Sequence, residues 1–141
     1  MLGILVVSHG KLAREFVDVA FHILNEEDPG TVPVCIDWTT DSAAAKELIR
    51  KNLRKLQDGN KGVLILTDLF GGTPTNLAMT FYEAGKVEIL TGVNLPMLIK
   101  AILLRRDGSA LIDSLTVLRE KGQTAMVSAS EVLTPDGGEG I

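Results

Sequence analysis

The 141-residue chain suits a single domain that can bury a core without disulfides or structural metal. Apolar residues make up 45% of it and charged residues 23%, the balance of a folded globule and not of a disordered chain. A net charge of −4 with no basic stripe excludes nucleic acid as a main partner, and no apolar run reaches the roughly 18 residues of a membrane span.

The chain alternates between short apolar runs and helical patterns. Residues 2–7 form a continuous apolar run, read as a strand buried on both faces. After Gly10 a helical stripe follows, with Leu12, Phe16, Val19, Ala20, Ile23 and Leu24 at spacings of three and four. Asp28-Pro29-Gly30 turns the chain into a second strand over residues 32–38. Thr40 or Asp41 caps a second helix that buries Ala45, Leu48, Ile49, Leu53 and Leu56 and stops at Asp58-Gly59-Asn60. Residues 62–67 are a third strand, 68–73 a loop, and Pro74 opens a helix that runs to about Glu83. Residues 86–91 are a fourth strand; two helices over 95–105 and 110–121 break at Asp107-Gly108, and 123–128 read as a fifth strand. Residues 131–141, rich in Gly, are expected to be a disordered tail after a domain over 1–130.

This order predicts an α/β fold of three layers, with helices on both faces of a mostly parallel five-stranded sheet. Right-handed crossovers favour the order 2-1-3-4-5, with a switch point between the first and third strands where ligands sit beyond the strands' carboxyl ends. The single cysteine, Cys35, lies in an apolar run with no ligand-spaced Cys or His, as suits a reducing compartment. With no basic leader before residues 1–9, the expected location is the cytoplasm.

The predicted switch point gathers the chemistry. The first strand ends in Ser8-His9-Gly10 and the third in Thr67-Asp68, so His9 and Asp68 become neighbours at one rim. A carboxylate beside an imidazole holds one tautomer, supports positive charge and frees the other ring nitrogen as a nucleophile. Gly71-Gly72-Thr73-Pro74 adds an anion cradle: Thr73 as N-cap, Pro74 in the first helical position, and glycines that admit close approach. Gly10 is expected to spare an incoming donor from crowding by a Cβ. Nucleophile, orienting acid and cradle together suggest phosphoryl transfer on His9. His22, on the flank of the first helix, reads as an ordinary packed or half-exposed residue. Trp38 borders either this site or an interface, and the segment 91–96 either walls the site or only turns the chain into a helix.

Three segments carry a resemblance. Val6-Val7-Ser8-His9-Gly10, then Thr67 through Asn76, then Gly92-Val93-Asn94-Leu95-Pro96-Met97 resemble the mannose-type enzyme IIA domain of the bacterial phosphoenolpyruvate:sugar phosphotransferase system. The resemblance covers about residues 1–130. It implies that His9 takes phosphoryl from the phosphocarrier HPr and passes it to a IIB protein. It also implies that Asp68 orients His9, that Thr73 contacts the phosphoryl group, and that no metal or cofactor takes part. Members are typically homodimers whose last strand crosses to the partner and runs antiparallel, which the resemblance extends to residues 123–128. With no IIB domain in this chain, the implied acceptor is a separate protein and any membrane association is peripheral, at a permease. Rival readings are a receiver domain, which lacks its acidic pair here; a dihydroxyacetone kinase phosphoryl-donor subunit; and a regulatory module governed by phosphorylation without transport.

Overall fold

The computed structural model describes residues 1–134. The expected tail falls mostly beyond them: residues 135–141 lie outside the described residues, and residues 131–133 belong to a short helix.

Ten elements follow in chain order: β1 (Gly3–His9), α1 (Leu12–Leu24), β2 (Thr31–Ile36), α2 (Ser42–Gln57), β3 (Val63–Thr67), α3 (Thr73–Met79), β4 (Val87–Thr91), α4 (Leu95–Arg106), α5 (Leu111–Thr124) and α6 (Ala129–Leu133). The sheet is parallel with order β2-β1-β3-β4. The first four strands thus adopt the expected order, and helices cover both faces.

The alternation of side chains along β1 divides the core. Ile4 and Val6 join Leu64, Leu66, Leu98, Ile102 and Leu118 on the face covered by α1, α4 and α5. Leu5 and Val7 join Val63, Ile65, Ile49 and Leu53 on the face covered by α2 and α3. Both faces of β1 and β3 are buried, which explains their unbroken apolar runs.

The fifth strand does not form. Gln123 and Thr124 extend α5, Ala125 keeps a right-handed helical backbone (φ −74°, ψ −14°), and Ser128 caps α6 through a capping box with Glu131. The continuation of α5 and this capping box take the place of the strand, and Met126 and Val127 stay exposed. α1 departs from expectation in part: Ala20 is buried and Phe16 and Leu24 pack against the core as expected, joined by Ala13 and Val17, while Leu12, Val19 and Ile23 are exposed. Two apolar stripes compete on α1, and the one with small residues lets the helix approach the sheet. Asp41 caps α2, its Oδ1 accepting from the Ala44 N–H at 2.8 Å.

A polar brace closes the end of the sheet remote from His9. Arg105 Nε donates to both carboxylate oxygens of Asp28 (3.0 and 3.1 Å), and Nη1 donates to the Leu2 carbonyl and to Asn60 Oδ1. One largely sheltered guanidinium, its side chain 11% exposed, thereby ties together the segments that lead into β1, β2 and β3.

Candidate functional site

Parallel register sets the carboxyl ends of β1 and β3 side by side, with Val7 opposite Thr67. His9 is the last residue of β1, and Asp68 follows β3 directly. The His9 backbone N–H donates to Asp68 Oδ2 at 2.9 Å, and His9 Nδ1 lies 2.8 Å from the same oxygen. A carboxylate only accepts, so Nδ1 carries the proton. In the neutral ring this leaves the lone pair on Nε2. The Asp68 side chain is 9% exposed and that of His9 23%, so the acid is sheltered while the imidazole still reaches solvent. Asp68 Oδ1 is buried without a hydrogen-bond partner among the described residues.

The loop after β3 comes up against the ring. Gly72 is the N-cap of α3, in an extended conformation (φ −85°, ψ 162°) that any residue adopts. Its glycine identity matters for space: a Cβ there would lie 2.6 Å from His9 Cε1 and 3.1 Å from Nε2. Gly71 has φ +90° with nothing near its missing Cβ, so there the backbone itself favours glycine. Thr73 and Pro74 open α3 as its first two residues, so Gly72 holds the N-cap place expected of Thr73. α3 is also shorter than its pattern suggested, ending at Met79. Gly10 also has a backbone that favours glycine. Its φ is +53°, in the left-handed region, and a Cβ would meet Trp38 Nε1 at an ordinary 3.6 Å.

Three buried hydroxyls hold this rim, and none of them is among the site residues that the sequence pattern points to. Thr75 Oγ1 donates to the Leu69 carbonyl at 2.5 Å and pairs with Thr67 Oγ1 at 2.8 Å, with both threonines fully buried. This anchors α3 and the 68–72 loop to the end of β3. Ser8 Oγ accepts from the Ala13 N–H and so fixes the start of α1 beside His9. Only their side-chain type at a strand end or in a first helical turn signalled these roles.

Trp38, two residues past β2, settles at the site: its ring and the imidazole stack with centroids 5.3 Å apart and 27° between planes. His22 stays apart, with Nδ1 near the Asp18 carbonyl of its own helix. The segment 91–96 is a structural turn. Asn94 Oδ1 caps α4 at the Met97 N–H, and its Nδ2 donates to the Gly122 carbonyl of α5. The site thus unites His9, Asp68, Gly72 and Trp38, with Gly10, Gly71 and Thr73 on the adjoining backbone.

Comparison with known proteins gives the family. Residues 3–116 match the family described as "PTS system fructose IIA component". The PTS system mannose-specific EIIAB component of Escherichia coli (strain K12) is 30% identical over 128 residues, covering 86% of this chain but only 38% of that protein. The PTS system fructose-specific EIIA component of Bacillus subtilis is 29% identical, covering 94% of this chain and 90% of that one. Among solved structures, a PTS IIA protein associated with the fucose utilization operon of Streptococcus pneumoniae superposes with a TM-score of 0.81 at 27% identity, covering 94% and 96% of the two chains. The chain spans about two fifths of the length of the mannose-specific relatives it matches, and nearly all of the fructose-specific one. It belongs to the mannose- and fructose-type IIA family of the phosphotransferase system.

Proposed function

We propose that this chain is a phosphohistidine carrier of a sugar phosphotransferase system, accepting phosphoryl from phospho-HPr on His9 Nε2 and passing it to a separate IIB protein. The observation that carries this reading is the 2.8 Å contact of His9 Nδ1 with the sheltered Asp68 carboxylate, which leaves Nε2 as the nucleophile. Family membership supports it.

In the forward step the Nε2 lone pair forms a bond to phosphorus while the bond between phosphorus and the donor's leaving nitrogen breaks. The Nδ1 proton stays on the ring, held by Asp68, whose negative charge offsets the positive charge that develops on the imidazole. Transfer to IIB reverses the roles, and His9 leaves with its Nδ1 proton still in place. Gly72 keeps the Nε2 edge clear, and the N–H groups of Gly71, Gly72 and Thr73, with the Thr73 hydroxyl, serve as donors to the phosphoryl oxygens.

The same reading makes the protein a cytoplasmic homodimer. β4 is an edge strand, and beside it runs a groove of about 850 Å³ lined in part by Phe70, Tyr82, Ile89, Gln123 and Met126. Exposed apolar side chains beside an open strand edge suit a second copy of the chain.

The test is labelling from phosphoenolpyruvate through enzyme I and HPr. Wild type and His22→Ala label equally, and His9→Ala stays unlabelled with an unchanged circular dichroism spectrum. Undiminished labelling of His9→Ala overturns the proposal.

A further inference from the structure

Trp38 is 79% exposed, yet its ring stacks on the imidazole of His9. A large aromatic left this open contributes little to the core. Its packing is spent on the one side chain that the site depends on. It is also the only tryptophan in the chain.

The imidazole is constrained from three sides. Asp68 Oδ2 fixes the Nδ1 edge at 2.8 Å. The Gly72 backbone lies against the Cε1–Nε2 edge, where a Cβ would come within 2.6 Å. Trp38 covers a ring face at a centroid distance of 5.3 Å. A hydrogen bond at one nitrogen still permits the ring to tilt about that bond; a stacked indole opposes the tilt. The indole face also carries the negative part of its quadrupole, which favours a positively charged ring over a neutral one. The ring gains positive charge as Nε2 bonds to phosphorus, so the stack favours the transition state over the ground state.

We infer that Trp38 is a positioning residue for His9, stacked on its imidazole so that Nε2 is presented to phosphorus and the developing positive charge is stabilised in the free chain, before any protein partner docks. The inference rests on the reading of His9 as phosphoryl acceptor and adds a residue to it.

Phosphoramidate separates this role from partner docking. It is a small donor whose P–N bond breaks as the Nε2–P bond forms, with ammonia leaving, and it makes no protein interface. The measurement is the rate of phosphoryl incorporation at His9 from phosphoramidate in wild type, Trp38→Ala and Trp38→Phe, with Trp38 emission followed in wild type and His9→Ala. Trp38 is exposed, so the variants keep the wild-type melting temperature. The expected result is a loss of about two- to fivefold in Trp38→Ala, the size of a largely exposed cation–π contact, with most of it restored in Trp38→Phe. Emission changes on phosphorylation of wild type and not on the same treatment of His9→Ala. Labelling of Trp38→Ala at the wild-type rate overturns the inference, even if transfer from phospho-HPr slows, because Trp38 would then serve docking alone. Wild type that labels from phospho-HPr but not from phosphoramidate also overturns it, since a ring held ready needs no partner. Wild type unlabelled at His9 by either donor overturns the reading of His9 itself, and this inference with it.

Discussion

Gly72→Ala isolates the geometry of the imidazole from the stability of the fold. The backbone at Gly72 (φ −85°, ψ 162°) accepts alanine without strain, so the fold has no reason to weaken. The added Cβ, however, would sit 2.6 Å from His9 Cε1 and 3.1 Å from Nε2. Ordinary contact begins near 3.4 Å, so the ring must retreat by about 0.8 Å. A retreat of that size pivots the ring about the 2.8 Å Nδ1–Asp68 contact and tips Nε2 away from the approaching phosphorus. Misplacement on this scale costs up to about 100-fold in rate. The assay is the initial rate of phosphoryl transfer from phospho-HPr, beside a thermal melt. The expected outcome is a rate reduced about 10- to 100-fold with a melting temperature within about 2 °C of wild type. Gly71→Ala supplies the contrast. Its φ of +90° makes alanine strained with no clash on the ring, so it costs about 1–2 kcal/mol of stability. A Gly72→Ala protein that transfers at the wild-type rate refutes the steric reasoning.

Asp68→Asn leaves the shape but removes the negative charge, and Asn can present either donor or acceptor to Nδ1. Transfer slows by about 10-fold or more while the label still maps to His9, as chromatography of the labelled peptides checks. Thr75→Val removes a buried hydroxyl from the link between the Leu69 carbonyl and Thr67. It destabilises by about 1–3 kcal/mol in urea titrations, because buried polar partners are left unpaired. Arg105→Leu strands the Asp28 carboxylate, whose side chain is 8% exposed. Its expected cost is about 3–5 kcal/mol, with labelling of His9 preserved in whatever fraction stays folded, because the brace lies at the far end of the sheet. Sedimentation equilibrium at micromolar concentration returns twice the 15.1 kDa chain mass, and a clean monomer would speak against the dimer.

The parts of this molecule legible in its sequence are those set by periodicity and by strand ends. Doubly buried β1 and β3 announced themselves as apolar runs, and the parallel order followed from helices between strands. That order alone brought His9 within reach of Asp68 across 59 positions of sequence. Where two patterns competed, the sequence was ambiguous. On α1 the side through Leu12, Val19 and Ile23 is as apolar as the one through Ala13 and Val17, and only contact with the sheet decides between them. Residues 123–128 carry strand-like apolar character, but helix propagation through Thr124 and the Ser128–Glu131 capping box prevail. The role of Gly72 was hidden for a different reason. Glycine in a loop commonly signals a positive φ, as at Gly71, whereas at Gly72 it signals the approach of a particular ring. Thr75 bonds to Thr67 and Leu69 across a loop whose path no residue pattern fixes, and the place of Trp38 after the second strand left site and interface equally open until the fold set it against His9.

The most direct test of the central claim is to locate the phosphoryl group. Wild-type protein is incubated with phosphoenolpyruvate, enzyme I and HPr, and the modified residue is then mapped under alkaline conditions that preserve phosphohistidine. One phosphoryl group on His9, stable in base and lost in acid, is the predicted result. A base-labile acyl phosphate on Asp68, or label on His22, would contradict it.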